Sequence, residues 1–132
     1  MIEKYPRQVK LVFKNLPLRN HTYARQAAAA ALAAHAQGRF WDFHDALFAS
    51  SKTLDDARVE EIRLSLDLDK DAFETQRKSP QVTGQIQKDI QWAREAGVRG
   101  TPTVFINGRL QRQRSLESFS AAVDAELQRL GR

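Results

Sequence analysis

The sequence predicts an α/β fold in the order strand, helical block, strand, hairpin strand, final helix. Three observations carry that prediction. Val9, Leu11 and Phe13 alternate with Lys10, Val12 and Lys14, the period of two that gives a strand one strongly apolar face. From there to residue 96, apolar residues recur at spacings of three and four, the helical period. Residues 97–109, GVRGTPTVFINGR, then combine a helix stop, a Gly-Thr-Pro loop, a short apolar run and an Asn-Gly turn.

Pro17 ends the first strand, and a helix is expected from about Thr22 to Gln37, with Asn20 or Thr22 as N-cap and Gly38 as the stop. Its run Ala27 to Ala34 has almost no bulk, which permits close approach of a neighbouring element and suits alanine's high helix propensity. Phe40 to Ser50 forms the second helix, with Phe40, Phe43 and Leu47 on one face and Trp41 and Phe48 completing an aromatic cluster. Asp55 or Asp56 caps a third helix whose apolar face is Val59, Ile62 and Leu66, and Asp69 caps a short fourth one bearing Ala72 and Phe73. Ser79-Pro80 is a specific start signal, an N-cap followed by proline at the first helical position. From it Val82, Ile86, Ile90, Ala93 and Gly97 define one face and lead to the Gly-Thr-Pro loop.

Pro102 opens the strand Thr103 to Ile106, a position where proline is tolerated. Asn107-Gly108 closes a two-residue hairpin, since both central residues of a type I′ turn need positive φ. A charged arm follows at Arg109 to Arg112. Ser115 caps a last helix with Leu116, Phe119, Val123, Leu127 and Leu130 on its apolar stripe.

Composition excludes several functions. At 132 residues with 42% hydrophobic and 28% charged residues, the chain is sized for one domain, and no apolar run approaches the roughly 20 residues of a membrane span. Residues 2–6 offer no apolar stretch of the signal-peptide type. No cysteine is present, which removes disulfides, thiolate chemistry and cysteine-bound metal together. The net charge of +5 is spread over both ends around an acidic middle, unlike the basic element interleaved with aromatics that a nucleic-acid binder shows. Arg109, Arg112 and Arg114 come nearest to such a cluster, but charges on a hairpin arm commonly guard a sheet edge. His44 and Asp45 sit side by side without a third convergent ligand or a nucleophile. His21, His35 and His44 therefore read as packing residues, and Glu60 and Glu61 diverge around their helix as a solvated face.

The stretch GVRGTPTVFINGR resembles the cis-proline loop and following hairpin of thioredoxin-fold proteins, most closely the DsbA-like thiol-disulfide oxidoreductases, and VKLVFKNLPL and GRFWDFHDALF are similar to that family's segments as well. The resemblance implies a thioredoxin-like sheet with an inserted helical subdomain at about residues 20–96, all within a single domain over 1–132. It implies a cis Thr101-Pro102 bond and a groove in which Gly100, Thr101 and Pro102 hold an extended peptide or protein substrate. It also implies an extracytoplasmic setting. The family's first core strand, its CxxC and the helix that the motif opens would stand before Tyr5, so the expectation is a fragment or shortened member of the family. Two apolar strands would then flank a gap one strand wide, and unpaired buried backbone costs roughly 1 to 3 kcal/mol per group. Closing that gap by self-association is the favoured expectation, ahead of filling it from another chain. Direct pairing of residues 6–16 with the Pro102 strand is the third option.

Two functional expectations follow. As a cysteine-free relative of an oxidoreductase, the chain lacks the thiolate that disulfide exchange requires, and whether it is an enzyme stays open. Alternatively it is a non-catalytic module that binds an extended segment by strand addition beside Pro102. A serine-dependent, glutathione-linked branch of the same fold ranks third. No cofactor, metal, nucleic acid or membrane partner is expected, and a homo-oligomer is.

Overall fold

A computed structural model describes residues 1–18 and 23–131. The chain divides into two compact units, one made of Met1–Lys14 with Val98–Arg132 and the other of Asn15–Gly97.

The Asn15–Gly97 unit is helical throughout its regular structure: α1 (Ala24–Ala36), α2 (Phe40–Ala49), α3 (Asp56–Ser65), α4 (Lys70–Arg77) and α5 (Pro80–Glu95). The capping chemistry read from sequence sets three of the starts. Asp55 accepts from the Arg58 N–H at 2.8 Å, Asp69 from Ala72 N–H at 2.8 Å, and Ser79 from Val82 N–H at 3.2 Å with Pro80 beginning α5. Each satisfies a backbone donor that a helix start leaves over. The caps expected at Asn20 or Thr22, and His21, lie outside the described residues. Gly38, with φ of 75°, turns the chain out of α1 in the left-handed conformation that glycine adopts without penalty.

Helix α1 packs against α2 and α4. Ala30, Ala33 and Ala34 are completely buried there, so the alanine run is the smooth surface on which the two helices rest. Phe43 of α2 and Phe73 of α4, both fully buried, stack with ring centroids 5.6 Å apart. Val59, Ile62, Leu47 and Leu68 complete the core around them. Arg63 is buried with its charge matched: its Nη1 donates to the Leu68 carbonyl at 2.8 Å, and Nε and Nη2 grip the Glu60 carboxylate at 2.8 and 2.5 Å. At the rim the Tyr23 hydroxyl donates to Asp56. Desolvation and that carboxylate push the Tyr23 phenol up to about 12.

The other unit holds the sheet. Strands β1 (Phe105–Ile106) and β2 (Arg109–Leu110) pair antiparallel, Phe105 opposite Leu110 and Ile106 opposite Arg109. Asn107 and Gly108 both have positive φ, 46° and 78°, which is the type I′ hairpin that the Asn-Gly dipeptide predicts. A bond from Gln111 N–H to the Val104 carbonyl at 2.9 Å adds one rung. Helix α6 (Leu116–Arg129) opens with a reciprocal cap: Ser115 Oγ accepts from Ser118 N–H and Ser118 Oγ from Ser115 N–H, both at 3.1 Å.

Three expectations are corrected here. Among the described residues the sheet has two strands, and Val9–Phe13 is not one of them. Alternation gives a segment a strand's faces but not the hydrogen-bonding neighbour that makes it a strand. Leu11, Val12 and Phe13 are accordingly 54%, 62% and 41% exposed. The strand foreseen over Thr103–Ile106 is confined to its last two residues. On α6 the middle of the predicted stripe is inward, with Val123 buried and Phe119 and Leu127 half-buried, but its ends Leu116 and Leu130 are exposed and Ser120 and Glu126 are buried beside it. The inward face of α6 is set by Tyr5 and by the hairpin. Tyr5 is buried and its hydroxyl donates to Asp124 at 2.6 Å, while Asn107 of the turn donates to Glu126 at 3.2 Å.

Candidate functional site: the Gly100-Thr101-Pro102 loop

Helix α5 ends at Glu95 with Ala96 as its C-cap, and Gly97, with φ of 74°, leaves it in the left-handed conformation with its N–H bonded back to the Arg94 carbonyl at 3.2 Å. Three residues later the chain enters the loop, where the Thr101–Pro102 peptide bond is cis. Thr101 and Pro102 are exposed and Gly100 is half-buried.

Two bonds fix the loop from within its own unit. Thr103 Oγ1 donates to the Gly100 carbonyl at 2.7 Å, closing the loop on itself. Arg114, twelve residues on, donates from Nη1 to the Pro102 carbonyl at 2.6 Å. These bonds use the carbonyls on either side of Thr101 and leave its own. Among the described residues, no hydrogen bond engages the Thr101 N–H or carbonyl. An exposed residue whose donor and acceptor are both unused is what an added strand needs, because an antiparallel partner exchanges both bonds with a single residue.

The hairpin after the loop is tied down from behind. Glu126 of α6 accepts from Asn107 Nδ2 at 3.2 Å and from Arg129 Nε and Nη2 at 3.1 and 2.7 Å, with Arg109 Nη1 3.6 Å away. The Arg129 and Asn107 hydrogen bonds, with the Arg109 charge, hold the Glu126 carboxyl down at about 2. The turn is therefore tied to α6 through the Glu126 carboxylate, and the loop at the other end of β1 is the open end.

Of the residues that sequence brought forward, Gly100, Thr101 and Pro102 form this one loop. Arg109 and Arg114 serve its frame, one in the Glu126 cluster and one on the Pro102 carbonyl. His44 and Asp45 lie in the helical unit, 3.1 Å apart between Nδ1 and Oδ1. The His44 ring is packed among Phe40, Trp41 and Phe48, with centroids 5.8, 5.3 and 4.6 Å away. Among the described residues no group of three or more His, Asp or Glu side chains could hold a metal ion. No cysteine thiolate accompanies the loop, since the sequence has no cysteine.

Two residues that matter were not legible beforehand. Arg114 looked like an edge-guarding charge, and nothing local to it announces a bond to a carbonyl twelve residues back. Asp89 is the second: it is only 3% exposed, accepts from the Asn15 N–H and Nδ2 at 2.9 Å each, and takes a further 2.9 Å bond from Gln85. The spacing held a usable signal. Val82, Ile86, Asp89 and Ala93 are the buried face of α5, so the aspartate occupies the register position that was given to Ile90.

A family model described as DSBA-like thioredoxin domain matches residues 3–124. A protein named Na(+)/H(+) antiporter NhaA 3 from Salinispora tropica is 41% identical over 117 residues, 87% of this chain and 18% of its own length. A probable disulfide bond formation protein D from Bacillus anthracis is 28% identical over 130 residues, 92% of this chain and 59% of its own. The crystal structure of a thioredoxin-like oxidoreductase from Silicibacter pomeroyi superposes with a TM-score of 0.74 at 25% identity, covering 90% of this chain and 68% of that one. The chain thus spans less than a fifth of the antiporter-named relative and about three-fifths of the disulfide-bond protein. The fold is thioredoxin-like, of the DsbA type.

Proposed function

The chain belongs to the DSBA-like thioredoxin domain family and has no cysteine, and from that premise we propose that it is a non-catalytic member that binds extended peptide segments at Gly100-Thr101-Pro102. The observation that carries this reading is the exposed Thr101, whose N–H and carbonyl are both unused among the described residues while the carbonyls of Gly100 and Pro102 are engaged. A peptide laid against Thr101 gains two backbone hydrogen bonds without disturbing the bonds that shape the loop. Disulfide exchange requires a thiolate to attack a sulfur and a second thiolate to leave. The leaving thiolate comes from the attacked disulfide, but the chain has no cysteine to supply the attacking one, so the mixed disulfide that begins the reaction has no attacking atom.

Two measurements test the halves of this proposal separately. Insulin reduction and oxidative refolding assays with the purified chain should match a buffer control at every pH, and turnover above that control would discard the non-catalytic half. Backbone amide shifts recorded during titration with an uncharged, strand-forming peptide should move at Thr101 and Thr103 and stay put in α1 and α4. Shifts that avoid the loop would discard the binding half.

A second reading rests on the antiporter-named relative, whose matched stretch is more similar than that of the disulfide-bond protein. In this reading the domain accompanies an ion transporter without itself conducting ions. Among the described residues no helix is long and apolar enough to cross a membrane. Deleting the corresponding segment from such a transporter and measuring antiport in vesicles tests it, and unchanged expression and transport would remove its support.

A further inference from the structure

The two units differ sharply in charge. The unit made of residues 1–14 and 98–132 has ten Lys/Arg against four Asp/Glu, while residues 15–97 have eleven against twelve. The whole surplus of the protein, six positive charges against a deficit of one, belongs to the unit with the proline loop. Part of that surplus stands at the loop itself. Arg99 is exposed two residues before Thr101. Arg114 is exposed as well, and of its five N–H donors the described contacts use one, on the Pro102 carbonyl. No carboxylate is described within ion-pair distance of either arginine, in contrast to Arg109 and Arg129, which share Glu126.

We infer that the Thr101 edge selects extended segments carrying an aspartate or glutamate, and that Arg114 is the residue that recognises the carboxylate. This specificity rests on the peptide-binding reading above and goes beyond it. The guanidinium is already immobilised by its bond to Pro102, so little side-chain freedom remains to be lost when a second acceptor arrives. A carboxylate is the acceptor for which its planar, forked donors are shaped, and such charge-assisted bonds are about twice as strong as neutral ones. Because an extended peptide sends alternate side chains to opposite faces, a carboxylate reaches Arg114 from one parity of positions only.

The experiment is fluorescence anisotropy of the intact chain with an uncharged Val/Thr peptide and with a series in which one glutamate is moved through six successive positions. In the wild type, affinity should rise about tenfold at alternate positions and change little at those between. Arg114→Gln, which keeps an amide donor for the Pro102 carbonyl, should erase the alternation, so that all glutamate positions and the uncharged peptide bind that variant alike. Arg114→Lys should keep part of it. Backbone spectra of each variant establish that the fold is retained. A gain that is uniform along the series, or one that survives Arg114→Gln, would assign the preference to diffuse positive charge and overturn the role given to Arg114. If all peptides bind equally, the acidic preference is wrong while the Thr101 edge stands. Failure of every peptide to bind removes the edge, and this inference with it.

Discussion

Glu126 couples the hairpin to α6 through a charge, so its effect on stability has a definite pH range. Its folded-state pKa, about 2, lies below the ordinary value of 4.5. A depressed carboxyl contributes stability that is complete above the unfolded value and is lost as pH falls through the folded one. Wild type should therefore exceed Glu126→Gln in denaturation midpoint at pH 7, with the difference shrinking below about pH 4.5 and mostly lost by about pH 2. A difference that stays constant over that range would mean the contribution is steric. Asp89 acts through neutral donors instead. Asp89→Ala would strand the Asn15 N–H and Nδ2, two donors on a buried residue, at about 1 to 3 kcal/mol each. Urea titration should show a loss of that size, and a loss below about 0.5 kcal/mol would mean that water replaces the carboxylate. Ion pairs on the helix surfaces, such as Arg58 with Glu61, should be nearly silent in the same assay.

At the level of elements, local chemistry and tertiary demand divide cleanly. Asp55, Asp69, Ser79 and Ser115 were legible as caps because a cap is satisfied by a donor three residues away. The Asn107-Gly108 turn was legible for the same reason, its positive φ values being a property of two residues. Removing the reciprocal cap with Ser115→Ala should cost about 1 kcal/mol and fray the start of α6, as measured by amide exchange at Glu117 and Ser118. Val9–Phe13 shows the opposite case. Its pattern fits a strand, yet a strand exists only with a neighbour, and no pattern within five residues specifies one. The α6 stripe faces inward at Phe119, Val123 and Leu127 but not at its ends: periodicity locates an apolar face, while Tyr5 and Asn107 decide that Ser120 and Glu126 turn inward as well. The site was readable to the same extent. Gly100, Thr101 and Pro102 are contiguous and stand out as a loop, whereas Arg114 joins them through the folded arrangement alone.

Across the described residues, the smaller unit that holds the sheet has more of the exposed large apolar side chains than the helical unit, whose exposed ones are Trp41, Phe48, Leu64 and Trp92. Leu11, Val12, Phe13, Leu110, Leu116 and Leu130 all belong to the unit with the sheet. Scattered exposed apolar residues are ordinary, but three consecutive ones, Leu11, Val12 and Phe13, invite association with another chain. We expect the purified chain to self-associate, with light scattering giving a mass that rises above 15.0 kDa as concentration increases. A constant 15.0 kDa mass from micromolar to millimolar protein would overturn this expectation. The core of the helical unit should be insensitive to it, and Phe73→Ala should destabilise that unit by about 3 to 5 kcal/mol whatever the oligomeric state.

The interrupted unit also imposes an order in time. Tyr5 and Asp124 are hydrogen-bonded partners 119 positions apart, and the helical segment lies between them as one uninterrupted stretch. At a synthesis rate of about 5 to 20 residues per second, Tyr5 waits roughly 6 to 24 s before its partner has been made. Throughout that interval Tyr5 has none of α6 to bond with, while α1 to α4 can collapse upon one another as they appear. The segment around Tyr5 is thus exposed to chaperones and to neighbouring nascent chains for longer than the helical unit, whose partners lie close in sequence.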